Sequence, residues 1–100
     1  MAYEVMDPDA IRKALFELPG WTMDAEGLAI ARTFKFSNFR AAFAFMSECA
    51  LIAEKLNHHP EWSNVNGQVD VRLTTHSAKG VTGLDLQLAA AMDKAAMHRH

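Results

Sequence analysis

The sequence predicts an α+β domain in which a four-stranded antiparallel sheet is covered on one face by helices, in the order α-β-β-α-β-β-α. Two pairs of strand-like segments are each joined by a short turn, at residues 25–27 and at Asn66-Gly67. Apolar residues recur at helical spacing over residues 38–56 and 84–97. A chain of 100 residues, half of them apolar, fits one domain, which we assign to residues 1–100.

The first helix is predicted by its end signals. Asp7 can accept hydrogen bonds from the free N–H groups of a helix start, and Pro8 has no N–H to leave unpaired there. Pro19-Gly20 ends the element. Apolar residues follow the start at helical spacing, at Ile11, Leu15 and Leu18.

The first hairpin is predicted to join a short strand, residues 21–24, to a longer one, residues 28–36. The longer strand alternates, so that one face is apolar except at Arg32. That face carries Leu28, Ile30, Phe34 and Phe36.

A long helix is predicted over residues 38–56, with Ser37 as its cap. Two adjacent apolar stripes run along it. One contains Phe39, Phe43, Met46, Ala50 and Ala53, and the other contains Ala42, Phe45, Cys49, Ile52 and Leu56. Such a wide apolar face is typical of a helix that lies on a sheet or between a sheet and a partner.

The second hairpin is predicted at Asn66-Gly67, because both residues tolerate positive φ. The strand after it alternates apolar and polar residues up to Thr75. Thr82 and Asp85 have capping-box spacing ahead of a last helix over residues 84–97. Its predicted apolar face carries Leu84, Leu88, Ala91 and Ala95.

Composition excludes several classes of function. A formal net charge of -2 argues against direct binding of nucleic acid or an anionic membrane, since both need a basic surface. The longest apolar stretch, residues 41–46, is too short to span a bilayer. A single cysteine, Cys49, and an acidic N-terminus without a long apolar run predict a cytoplasmic protein without a signal peptide.

Side chains capable of proton transfer or metal binding are concentrated in the segment Asn57-His58-His59-Pro60-Glu61-Trp62. A further imidazole, His76, comes after the next strand. Imidazoles exchange protons near neutral pH, so the cluster is a candidate for proton transfer or metal binding. Pro60 disfavours helical backbone at His59, which allows both adjacent rings to face one pocket. A plain alternative is that His58 only caps the helix C-terminus.

The neighbouring residues also have structural alternatives. Trp62 could belong to the core or form the wall of a site for a flat ligand, and His76 could be a solvated strand end. Asp85 alone indicates a helix cap. We expect His98 and His100 to lie in a disordered tail without a role.

Two other chemistries fit the sequence less well. Three histidines with Glu61 or Asp85 would suffice for zinc, but adjacent histidines rarely reach one metal, and H-x-x-x-H and C-x-x-C pairs are missing. Cys49 falls within an apolar stripe, where a thiol is usually inert. We therefore predict acid–base chemistry by imidazoles and carboxylates, with no metal.

Nearly the whole chain resembles the pterin-4a-carbinolamine dehydratase family. The resemblance is carried by the run E-K-L-N-H-H-P-E-W over residues 54–62, then Asn64-Val65, Thr75-His76, Leu84-Asp85 and Leu88-Ala89. It implies dehydration of 4a-hydroxytetrahydropterin to a quinonoid dihydropterin, which recycles the pterin of aromatic amino acid hydroxylases without a metal or other cofactor. It also implies a homo-oligomer, a dimer or a tetramer.

The resemblance implies a catalytic set of His58, His59 and His76, with Glu54, Trp62 and Asp85 completing the substrate pocket. Our assignment makes His58 and His76 the proton-transferring pair and His59 the anchor of the pterin. A second hypothesis is a non-catalytic oligomeric module that stabilises or regulates a partner protein. A pure interaction module would have no need of three imidazoles and their carboxylates.

Overall fold

The computed structural model describes residues 4–99 and contains three α-helices and four strands within that range. The helices are α1 (Pro8–Ala14), α2 (Phe39–Leu56) and α3 (Gly83–Met97), and the strands are β1 (Thr22–Met23), β2 (Ile30–Lys35), β3 (Glu61–Val65) and β4 (Gln68–Leu73). Two 3₁₀ turns, Leu15–Glu17 and His76–Ala78, complete the order. The predicted α+β class is confirmed; residues 1–3 and 100 of the predicted domain lie outside the described range.

The four strands form one antiparallel sheet in the order β1-β2-β4-β3. The two strands of each predicted hairpin are neighbours in the sheet. The hairpins are joined by the pairing of β2 with β4, from Ile30↔Leu73 to Lys35↔Gln68. Side chains alternate across this sheet. Val69, Val71 and Leu73 are buried on the helix-covered face, whereas Gln68 and Asp70 are exposed.

The Asn66-Gly67 turn forms as predicted and fixes where the second hairpin lies. Asn66 has a φ of 51°, and the Gly67 carbonyl accepts a hydrogen bond from the Phe36 N–H at 2.7 Å. A Cβ atom on Gly67 would lie only 2.3 Å from the Phe36 carbonyl oxygen. Glycine therefore allows the turn to lie against the end of β2.

Both strands of the first hairpin are shorter than predicted, because the chain between them closes a polar loop. The Asp24 carboxylate accepts a hydrogen bond from the Leu28 N–H at 2.8 Å, and the Asp24 N–H donates to the Ala29 carbonyl at 3.0 Å. Arg32 lies on the covered face, as its spacing implied. There its guanidinium pairs with Asp93 of α3 at 2.6 Å and lies 4.4 Å from the centre of the Phe34 ring.

The helices differ from the prediction mainly at their ends. α1 begins after Asp7 but ends at Ala14, where the chain tightens into the first 3₁₀ turn. The predicted cap of α2 was wrong: the Asn38 side chain, not that of Ser37, accepts from the Ala41 N–H at 2.9 Å. Asn38 is the cap because its backbone is extended and the helix begins at the next residue.

The buried faces of α2 and α3 also correct the predicted stripes. In α2 the buried positions are Ala42, Phe45, Cys49 and Ala53, which leaves Phe39 and Phe43 more than half exposed. In α3 the buried face is Asp85, Leu88, Ala89, Met92 and Ala95, so Leu84 and Ala91 are only partly buried. Helix α3 packs on α2 as well as lying over the sheet, and this rotates its buried face.

The core lies between the sheet and the helices. Phe34 of β2 and Phe45 of α2 meet with ring centres 4.7 Å apart, and Leu88 and Met92 of α3 are fully buried. Over residues 4–99, no helix combines the length and the apolarity that crossing a bilayer requires. The candidate functional residues lie at the ends of the elements, where α2, β4 and α3 meet.

Candidate active site

The C-terminus of α2 places the first histidine. Asn57 adopts the left-handed conformation, with a φ of 52°, and its N–H donates to the Glu54 carbonyl at 3.0 Å. The His58 N–H donates to the Ala53 carbonyl, also at 3.0 Å. These two bonds form a Schellman motif, in which backbone alone satisfies the end of the helix. The His58 side chain is therefore not needed as the cap.

His58 is instead paired with a buried carboxylate. Its Nε2 lies 2.5 Å from Oδ1 of Asp85, and the side chains are 9% and 0% exposed. Asp85 comes from the first turn of α3, 27 positions further along the chain. A buried charge of this kind needs a partner and hydrogen bonds, so the pair is a defined unit of the structure.

The second oxygen of Asp85 is held from two sides. Oδ2 accepts from the Thr82 N–H at 2.9 Å, which completes the predicted capping box, and from the Thr75 hydroxyl at 2.8 Å. The Thr75 and Thr82 hydroxyls are themselves 2.7 Å apart. Asp85 is thus both a helix cap and the partner of His58, and the two roles use different oxygens.

The other two histidines each meet a carboxylate near the surface. Nε2 of His59 lies 2.9 Å from Oε1 of Glu54, which is in the last turn of α2. Nε2 of His76 lies 2.8 Å from Oε2 of Glu61, the first residue of β3. His76 is not a strand end, because it opens a 3₁₀ turn within a loop that a Thr75↔Gly80 bridge closes.

The three imidazoles line one cleft of about 460 Å³, within the usual range for small-molecule sites. Pro60 and Leu84 give it apolar walls, and Thr74 and Ser77 supply hydroxyls. The complete lining is Asn57, His58, His59, Pro60, Glu61, Thr74, Thr75, His76, Ser77 and Leu84. His76 thus reaches the same concave site as the adjacent His58 and His59.

Three residues predicted for the substrate pocket are outside that lining. Glu54 contacts His59 at the surface, and Asp85 is fully buried against His58. Trp62 is partly buried against the hydrophobic core, on the covered face of β3. These positions fit support of the cleft more directly than contact with a ligand.

Sequence reasoning missed two polar residues of the site. Glu61 was considered only as a metal ligand, yet it is the partner of His76. Thr75 continues the buried register of Val71 and Leu73, and its hydroxyl reaches Asp85. A hydroxyl at a buried strand position needs a partner, and this signal could have identified Thr75.

Two pKa shifts bear on the chemistry. The hydrogen bond with His76 lowers the pKa of Glu61; slight burial opposes the shift, and the Arg72 guanidinium adds to it, so Glu61 is a carboxylate near neutral pH. Burial, with the nearby Glu48 charge, raises the pKa of the Cys49 thiol to about 12. Cys49 is therefore unsuited to nucleophilic chemistry.

Metal ligation has no geometric support in the part of the chain that is described. Between residues 4 and 99, no group of three or more His, Cys, Asp or Glu side chains is arranged to hold an ion. Each histidine of the cleft is paired with a separate carboxylate through Nε2. His98 is the C-cap residue directly after α3, and His100 lies outside the described range.

The chain as a whole has a match among known families. The model for pterin 4 alpha carbinolamine dehydratase matches residues 4–95. The chain belongs to this family. The resemblance that residues 54–62 and their surroundings indicated is therefore confirmed.

Similar dehydratase-family proteins occur in rhizobia. A protein of Rhizobium rhizogenes strain K84 is 56% identical over 99 residues, covering 99% of this chain and 98% of its own. One from Sinorhizobium fredii strain NBRC 101917 is 52% identical over 99 residues, covering 99% and 94%. Both names assign them provisionally as pterin-4-alpha-carbinolamine dehydratases.

Two solved structures extend the comparison within the family's fold. A transcriptional coactivator/pterin dehydratase from Brucella melitensis superposes with a TM-score of 0.90 at 46% identity, covering 93% of this chain and 99% of that one. A pterin dehydratase-like protein identified as a RuBisCO assembly factor in the alpha-carboxysome gives 0.67 at 19% identity, covering 77% and 89%. The second likeness shows a shared fold alone.

Proposed function

We propose that this protein dehydrates 4a-hydroxytetrahydropterin to quinonoid dihydropterin and water. The observation that carries the proposal is the cleft, in which three imidazoles each have Nε2 on a separate carboxylate. The family membership supports the substrate class. The reaction would return an oxidised pterin to the cycle that serves aromatic amino acid hydroxylases.

The reaction needs two proton transfers and no redox step. The bond from C4a to the hydroxyl oxygen breaks, and a general acid supplies the proton with which that oxygen leaves as water. A general base takes the proton of N5, and the N5 electrons form the new double bond to C4a. After the step the acid has lost one proton and the base has gained one, so the pair returns to its starting state once a proton passes from the base back to the acid through solvent.

We assign the proton transfers to His58 and His76. A carboxylate on Nε2 favours the ring form that carries its proton there and leaves Nδ1 as the free basic nitrogen. The same carboxylate stabilises the imidazolium that forms when Nδ1 takes a proton. Asp85 would perform this for the buried His58 and Glu61 for the exposed His76.

We assign binding to the rest of the cleft. His59, held by Glu54 through Nε2, would contact the pterin from the open side with its other ring nitrogen, because its ring is well exposed. Pro60 and Leu84 would cover the apolar part of the ring system. Trp62 would support the segment from the core side.

The proposal is tested by stopped-flow spectroscopy with synthetic 4a-hydroxytetrahydropterin. The wild-type chain should accelerate dehydration strongly over the uncatalysed rate, and His98→Ala should match it because His98 lies at the end of α3. A rate no faster than the uncatalysed reaction would refute dehydratase function.

A second function, stabilisation of a partner protein by an oligomeric module, is supported by one surface. On α2 the residues Phe39, Phe43 and Leu51 are 53%, 56% and 74% exposed. Such apolar exposure is typical of contact surfaces, including those between copies of one chain. Light scattering at micromolar concentration should give a dimer or tetramer; a mass near 11.1 kDa would contradict association through this face.

A further inference from the structure

We propose that Glu61 is a positioning residue for His76, and that Arg72 holds Glu61 in place from the helix-free face of the sheet. The inference rests on the proposed function, since it assigns a supporting role within that site. It concerns a chain of contacts that runs from Asp24 of the first hairpin through Arg72 and Glu61 to His76.

His76 needs such a contact because little else fixes its ring. It opens a 3₁₀ turn and its side chain is 74% exposed, in contrast with 9% for His58. An exposed imidazole without a directed bond would sample several rotamers. The 2.8 Å contact between Nε2 and the Glu61 Oε2 selects one of them.

Glu61 is fixed in turn by the strand opposite. Glu61 and Arg72 are direct cross-strand partners in β3 and β4. Nη1 of Arg72 lies 3.2 Å from Oε1 and 3.3 Å from Oε2 of Glu61. Nη2 of the same guanidinium reaches Oδ2 of Asp24 at 3.4 Å.

At the far end of this series of contacts, Asp24 is held by the backbone. Oδ1 of Asp24 accepts the Leu28 N–H at 2.8 Å, so the carboxylate is held by the loop of the first hairpin. Arg72 is therefore held between two carboxylates with its position set from both sides. Glu61 also lines both the histidine cleft and a groove on the helix-free face, which places it at the boundary between them.

Stability alone does not account for the arrangement. Both Arg72 and Glu61 are more than 40% exposed, and exposed ion pairs contribute little to folding. An ionised carboxylate on Nε2 does, however, decide which ring nitrogen of His76 meets the substrate and stabilises that ring when it is protonated. Glu61 thus provides His76 with a carboxylate on Nε2, as Asp85 does for His58.

The kinetic test is a double-mutant cycle. Glu61→Gln should lower kcat about fivefold with little change in KM, the size expected for an exposed charge pair acting on a transition state. In a His76→Ala background, the same change should have no further effect, because its target is gone. Asp9→Asn, which breaks the exposed pair with Arg12, is the matched control and should leave kcat unchanged. Equal losses in both backgrounds, or no loss in either, would overturn the inference.

A second measurement does not depend on activity. Three-bond NMR couplings should report one χ1 rotamer for His76 in the wild-type chain and averaging among rotamers in Glu61→Ala and Arg72→Ala. A single rotamer that survives Glu61→Ala would overturn the inference even if the kinetics agree. If the wild-type chain has no dehydratase activity, the proposed function fails, and the couplings still decide whether Glu61 positions His76.

Discussion

At the scale of single residues, the three histidines of the cleft differ in what surrounds them. His58 and Asp85 form a buried pair, whereas the pairs His59–Glu54 and His76–Glu61 are open to water. Charge interactions are screened by water and strengthened by burial. The His58–Asp85 unit is therefore where substitution should have the largest effect.

Replacing Asp85 with asparagine keeps the shape of the side chain and removes its charge. We expect kcat to fall at least about 10²-fold, because the imidazolium of His58 loses its counter-charge. Asp93→Asn is the matched control, since Asp93 is also on α3 and is paired, with Arg32, away from the cleft. It should lower stability without lowering kcat; similar losses of kcat in both variants would contradict a specific role for Asp85.

The residue types of the site were predictable, but their pairing was not. The three histidines stand out in the sequence as proton-transfer candidates, whereas Asp85 was assigned to the site through the family resemblance. That Glu61 meets His76 depends on the register between β3 and β4 and on a 3₁₀ turn, which no local pattern specifies. Asp85 was visible as a cap, while the contact between its Oδ1 and His58 spans 27 positions.

At the scale of elements, the end of α2 decides where His58 points. Asn57 holds a left-handed backbone, which costs an ordinary residue about 1 kcal/mol or more. Asn57→Ala should therefore lower the free energy of unfolding by about 1 kcal/mol and also reduce kcat, since His58 follows directly. Urea unfolding and the dehydration assay measure the two effects.

Glycine at this position provides the control. Asn57→Gly should keep both stability and kcat close to wild type, because glycine adopts positive φ without a steric cost. If the alanine and glycine variants behave alike, the conformation of the helix end is not what positions His58.

Element prediction succeeded where a local signal decides the geometry. Asn66-Gly67 and the Thr82–Asp85 capping box both form as their sequences indicate. It failed at the start of α2, where Ser37 and Asn38 are both good caps and only the backbone conformation separates them. It also failed for the buried stripe of α2, because periodicity cannot tell which of two adjacent apolar stripes meets the core.

At the scale of the whole molecule, the helix-free face of the sheet carries paired charges that should respond to acid. Glu61 has a lowered pKa, chiefly through His76. For Asp24, slight burial raises the pKa, but hydrogen bonds from the backbone of Leu28 and Ala29 and from Arg72 outweigh it and leave the pKa lowered. Both groups therefore bind protons more weakly in the folded state than in the unfolded chain.

The pH dependence of stability follows from this sign. The contribution of these carboxylates is complete above their ordinary pKa values of 4.5 and 3.8 and is lost as pH falls through the lowered values of the folded state. Urea midpoints measured from pH 6 to pH 3 should fall, and the Glu61→Gln variant should fall less. A wild-type midpoint that is constant down to pH 3 would contradict the pairing.

The fold class was predictable because two hairpins and two long helices leave few ways to bury their apolar faces. The strand order of the sheet was less predictable, since the pairing of β2 with β4 is a long-range contact between hairpins. The cleft also depends on long-range packing, because it lies where the end of α2, the start of β3, the segment after β4 and the start of α3 meet.

The central claim, that His58 and His76 together transfer the protons of carbinolamine dehydration, is tested most directly by removing both. In stopped-flow assays, His58→Ala and His76→Ala should each lose about 10²- to 10⁴-fold in kcat, and the double variant should approach the uncatalysed rate. Dehydration that survives the loss of both histidines at a rate near wild type would contradict the assignment.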